Sequence, residues 1–143
     1  MAAEITQQGL RYMLEAAFSE ETVVSDAVYL ALVSDTGVKE SDTISDLTEV
    51  ATPGAEGYTR QTVATSDVGF TTSDAGSNDW MVTTTTETFT CAGTWKVAGA
   101  VVMVTSDYGT AGVKLIGSTD LGTARTLTSG DSLQVAMQLK LAN

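Results

Sequence analysis

Residues 27–34 read Ala-Val-Tyr-Leu-Ala-Leu-Val-Ser. Successive side chains of a strand point to opposite faces, so Val28, Leu30 and Leu32 fall on one side and Tyr29, Ala31 and Val33 on the other. Both sets are apolar. A strand of this kind needs a cover on each face, which predicts a central position in a sheet.

The strand signature returns along the rest of the chain. Residues 58–65 (YTRQTVAT), 80–89 (WMVTTTTETF), 95–106 (WKVAGAVVMVTS), 113–119 (VKLIGST) and 132–142 (SLQVAMQLKLA) are rich in Thr and Val. Branching at Cβ favours the pleated, half-buried surface of a sheet. Alternation is clearest at the end, where Leu133, Val135, Met137, Leu139 and Leu141 face one way and Gln134, Gln138 and Lys140 the other. Turn residues separate the runs: Ser73 to Asp79, Ser106 to Gly109 and Ser129 to Asp131. No helical segment long enough for a parallel crossover recurs between them. About seven or eight strands after one short helix predict an all-β fold, an antiparallel β-sandwich or jelly roll with a short N-terminal α-helix.

That helix is expected over residues 4–18, where Ile5, Leu10, Met13, Leu14, Ala17 and Phe18 recur at helical spacing and Gly9 weakens the element. The stripe is either core or an arm that docks on a neighbouring subunit. Residues 1–22 are thus read as a helical arm and 23–143 as a single β-sandwich domain with a long 35–57 loop. The loop holds the only proline, Pro53, and a helical turn is expected near Ser45 to Val50, capped by Ser45.

Composition excludes several functions. The chain has 143 residues, 43% of them hydrophobic, and a formal net charge of -11. One folded domain is the expectation. Seven scattered Lys and Arg residues do not make a phosphate-binding surface, so no nucleic acid partner is expected. The longest apolar stretch, Val97 to Val104, is far short of a membrane span, and the N-terminus does not resemble an export signal. No membrane partner is expected, and assembly in the cytoplasm is the consistent reading.

There is no histidine, which removes the commonest general base and the nucleophile systems that rely on it. Cys91, the only cysteine, is read as a small buried hydrophobe. Glu49, Glu56, Asp79 and Glu87 could be proposed as glycosidase acids, but nothing selects a pair. Asp35, Glu40, Asp42, Asp46 and Glu49 crowd one loop as hard oxygen ligands, at a spacing that departs from the EF-hand loop, so calcium stands as a minor alternative to a solvated acidic surface. Trp80 and Trp95, with Tyr58, Phe70 and Phe89, would line either a ligand groove or the core, and the core is the expectation. No cofactor and no catalysis are expected.

The segment from Val28 to Val63 resembles short structural proteins of bacteriophage virions. The shared pattern is a Leu-rich strand end (Leu30, Leu32), an Asp-Leu-Thr-Glu turn (Asp46 to Glu49), then Gly57, Tyr58 and Arg60 leading the next strand. The closing run, with Gly130 and Asp131 before an alternating strand, is similar too, and together they cover about a third of the chain. The resemblance implies a small β-sandwich or jelly-roll protein that cements or decorates the capsid, although some such proteins belong to tails or fibres. It implies attachment to the outer capsid surface of the virion, with the major capsid protein and other copies of the chain, in a dimer or trimer, as partners. The expected contacts lie outside the sandwich core: Ile5, Leu10, Met13, Leu14 and Phe18 on the arm, and Leu47, Tyr58 and Arg60 on the loop, both segments ordering on binding.

Overall fold

A computed structural model describes residues 4–18, 27–64, 69–76 and 79–141. The chain is all-β with antiparallel pairing throughout and one α-helix among the described residues. The strands are β1 (Glu4–Ile5), β2 (Ala27–Val33), β3 (Gln61–Ala64), β4 (Phe70–Gly76), β5 (Asp79–Thr84), β6 (Glu87–Thr90), β7 (Ala98–Val104), β8 (Leu115–Arg125), β9 (Ser132–Val135) and β10 (Gln138–Leu141); helix α1 is Gln7–Phe18. They form a five-stranded sheet in the order β1-β8-β7-β2-β3, a three-stranded sheet β10-β5-β4 and a pair β6-β9.

The two-faced strand sits where its pattern requires. β2 lies between β7 and β3. Val28, Leu30 and Leu32 pack with Val101 and Met103 of β7 against Phe89, Val135, Met137 and Leu139 from the smaller sheets. This is the core of an antiparallel β-sandwich; the strand order does not establish a jelly roll. Ala31 and Val33 on the reverse face join Ala100, Val102 and Val104, and are covered by Val38 and Ile44 from the 35–50 connection. Leu30 and Leu32 are fully buried, each worth about 1.5–3 kcal/mol of transfer free energy.

Four expected elements differ in detail. The runs 80–89 and 132–142 are each split in two, because β6 pairs Glu87 with Val135 while β5 pairs Thr83 with Gln138, a slip of one residue. Thr84 fills the break: its N–H donates to the Met137 carbonyl and its hydroxyl accepts the Met137 N–H, both at 2.9 Å. β4, polar along Thr-Thr-Ser-Asp, extends into the segment expected to be turn and pairs with β5 through a bulge at Asp74/Gly76. The stripe expected to begin a helix at Ile5 starts instead as strand, since Ile5 pairs with Gly117 of β8. Thr6 caps the helix: its hydroxyl accepts the Gly9 N–H at 3.0 Å and itself donates to the Leu115 carbonyl.

The N-terminal segment is therefore built onto the edge of the main sheet. Gly9 is what permits it, because a Cβ there would lie 2.0 Å from the Ile116 carbonyl oxygen. Residues 19–22, at the boundary expected between arm and domain, lie outside the described residues. Gly9→Ala is expected to destabilise the fold by about 1–3 kcal/mol, through the forced displacement of α1 from β8, despite alanine's better helix propensity. Chemical denaturation of the two proteins checks this.

Candidate functional site

The connection after β2 is hydrogen-bonded into place. The Ser34 N–H donates to the Thr48 carbonyl at 2.8 Å and the Val50 N–H to the Leu32 carbonyl at 3.1 Å, with a β-bridge between Val33 and Glu49. Residues 48–50 thereby take up the edge beside the end of β2 that β3 leaves open, since β3 pairs only as far as Leu30. The helical turn is a short 3-10 segment at Ile44–Asp46, and its cap is Thr43, not Ser45. The Asp46 carboxylate accepts both the N–H (2.9 Å) and the hydroxyl (2.8 Å) of Thr43, which holds its pKa below the ordinary value. Ordering on binding is thus not required of this loop.

Under the loop lies a buried polar cluster. Glu49 and Arg60 form a two-pronged ion pair, Nη2 to Oε1 at 2.6 Å and Nε to Oε2 at 3.2 Å, with Arg60 buried. The Tyr58 hydroxyl donates to Glu49 Oε2 at 2.7 Å and accepts the Leu32 N–H at 3.1 Å. Two further Arg60 N–H groups reach the carbonyls of Ser106 (2.8 Å) and Gly109 (2.7 Å). A bidentate pair whose atoms find further hydrogen-bond partners is the arrangement in which a buried charge is tolerated. The Tyr58 ring completes the cluster on its apolar side, edge-on to Trp95 at 5.5 Å and stacked on Phe89 at 6.1 Å.

This placement corrects the expected contact residues. Tyr58 and Arg60 are 0% and 4% exposed, so they act from within the fold and do not reach a partner's surface. Ile5 is half-buried against the sandwich core. Leu47 and Met13 are half-buried, and Leu10 is 43% exposed. The side chains of Leu14 and Phe18 lie outside the described residues. The arm and the loop do meet, since the Gln7 N–H donates to the Glu40 carbonyl at 3.0 Å.

Above the buried cluster is an open groove of about 610 Å³ between residues 44–56, 94–96 and 108–110. Trp95 is not a groove aromatic; it is buried, with its indole N–H on the Glu56 carbonyl at 3.0 Å. The Trp80 side chain lies outside the described residues. The aromatic that does line the groove is Tyr108, 64% exposed. It was hidden in the turn Ser-Asp-Tyr-Gly, whose sequence speaks only for a bend. The loop acids turn on their own backbone: Asp35 accepts the Thr48 N–H and Asp42 that of Lys39. Among the described residues no three acidic or Cys side chains gather as metal ligands. Cys91 is buried, its thiol on the Gly93 carbonyl.

No protein-family model matches this chain, and no curated protein shows significant similarity to it.

Two outcomes follow from the buried cluster. Arg60→Ala strands the Glu49 carboxylate and two carbonyls, and should cost about 3–5 kcal/mol in urea unfolding. Glu49→Leu combined with Arg60→Met should cost much less than the two single changes added together. Burial, with the Glu49 charge beside it, drives the Tyr58 hydroxyl far above its ordinary value of 10.0. Its folded-state pKa is raised, so the stability linked to it is complete below pH 10.0 and is lost as the pH rises further, when the unfolded chain alone ionises. In an alkaline titration followed by tyrosinate absorbance and circular dichroism, Tyr58 should ionise only as the fold is lost.

Proposed function

We propose that this protein is a non-enzymatic component of a bacteriophage virion, bound to the outer surface of the capsid, where it cements or decorates the shell. The observation that carries the reading is that the residues of the resemblance form one structural unit. Asp46 to Glu49 lie in the ordered loop, and Glu49, Tyr58 and Arg60 join in the buried cluster that holds it to the sheet. These residues thus act together to hold the surface loop on the β-sandwich, the arrangement a docking surface would use.

The surface so presented suits docking on a lattice. Leu47 on the loop and Leu10 and Met13 on α1 are its apolar members, and a pre-ordered surface loses little freedom on binding. Cementing is then mass-action linkage, in which contacts across neighbouring major capsid proteins stabilise only the assembled shell. A second copy of the chain, in a dimer or trimer, would extend those contacts around a lattice axis.

Purified protein should co-sediment with empty, undecorated capsids at a fixed ratio to capsid protein and raise their melting temperature. Leu10→Asp should weaken that attachment while the circular dichroism spectrum stays unchanged. Absence of binding at both low and moderate salt would overturn the capsid assignment and favour a tail or baseplate component.

A further inference from the structure

The groove over the buried cluster has both walls anchored from below. On one side, Arg60 grips the Ser106 and Gly109 carbonyls, and the Ser106 hydroxyl donates to the Tyr108 carbonyl at 3.0 Å. The ring that this turn carries is nevertheless 64% exposed. On the other side, the turn from Thr52 to Tyr58 closes on itself through Ala55 N–H to Thr52 and Tyr58 N–H to Ala55, both at 2.8 Å. The Glu56 carbonyl in that turn accepts the Trp95 indole N–H and the Ala92 N–H.

Glu56 itself is held at φ 53, alone among the described non-glycine residues in having a positive φ. The chain uses glycine for positive φ at 54 and 57 on either side, yet places a charged side chain between them. Left-handed backbone is unfavourable for such a residue, and strain of this kind concentrates where a side chain has to be presented. Space is provided for it: a Cβ on Gly93 would come 2.7 Å from the Glu56 Cβ. Glu56 and Tyr108 both line the groove.

We propose that this groove binds a neutral oligosaccharide, with the Tyr108 ring stacking on the apolar face of one sugar and the Glu56 carboxylate accepting its hydroxyl protons. A pyranose offers one C–H face and a rim of hydroxyls, so it requires an exposed aromatic beside polar groups and not an apolar pocket. The lining supplies that mixture, with exposed Thr52, Thr94 and Thr110 in the same groove. Charge selects against acidic glycans and phosphorylated ligands: the chain carries -11 overall, and Lys96 is the one cation among the described lining residues. Glu49, on the groove floor, has both oxygens committed to Arg60 and Tyr58, so the site binds without the two free carboxylates that glycoside hydrolysis uses.

The proposal is independent of the capsid assignment and is tested without capsids. Saturation-transfer NMR of the full chain would be run against tetrasaccharides of α- and β-linked glucose, N-acetylglucosamine, galactose, mannose and xylose, with tetralysine as a control. At least one sugar should bind with a Kd below about 1 mM, and Tyr108→Ala should weaken it about tenfold or more. Glu56→Gly should weaken it similarly while leaving the melting temperature within about 4 °C, because glycine accepts the backbone conformation. Failure of every sugar to bind, or binding untouched by Tyr108→Ala, would overturn the proposal. So would binding confined to tetralysine and lost with salt, which would assign the groove to a basic peptide.

Discussion

The Glu49 carboxylate, taken out of water and gripped by Arg60 and Tyr58, ties four stretches of chain together. The Glu49 backbone forms the bridge with Val33; Tyr58 reaches Leu32 of the central strand; Arg60 reaches the turn at 106–109. Burying such a pair is expensive unless every donor and acceptor is used. Here every guanidinium nitrogen of Arg60 and both Glu49 oxygens have a partner, so the cluster works as a specificity device: any other seating of the loop leaves a charge unpaired in the interior. Apolar contacts such as those of Ile44 and Val50 supply burial for the loop, but they would tolerate a slide that the ion pair does not.

From that constraint the rest of the architecture follows. The main sheet is apolar on both faces and must be covered twice, once by the smaller sheets and once by the 35–50 connection. A cover made of loop would fray unless pinned. It is pinned at one end by the buried cluster and further along by the Asp120 carboxylate, which accepts the Gly37 N–H at 3.0 Å. The same anchoring holds the loop in place, so that in the proposed docking role the ordering cost would be met during folding and not on contact.

How far the fold could be read in advance varied with the kind of signal. β2 and β7 were legible because their side chains are apolar on both faces, a pattern that holds wherever in the sheet they lie. The closing run showed its buried side in Val135, Met137 and Leu139, but not the one-residue slip that splits it, since a bulge depends on the partner strand. β4 was missed because Thr-Thr-Ser-Asp-Ala-Gly has the composition of a turn, and its pairing comes entirely from β5. Gly9 looked like a weakness in a helix; only the approach of Ile116 shows it to be a requirement.

The sequence by itself determined the class of fold, the central strand, the inward face of the last strands and the absence of histidine, because alternation and composition are local properties. Tertiary structure alone decided which polar residues are interior. Arg60 looks like a surface residue in a Thr-rich, Gly-flanked segment, and it is buried because Glu49, eleven residues before it, and the carbonyls of Ser106 and Gly109, more than forty after it, complete its bonds; the Tyr58 ring meets the expectation of an aromatic core, but its hydroxyl's place on Glu49 does not show in the sequence. Tyr108 is exposed for the converse reason, that its turn is held by backbone bonds that leave the ring unused. Burial of a polar group is set by partners far away in the chain, and no local pattern records where those partners will be.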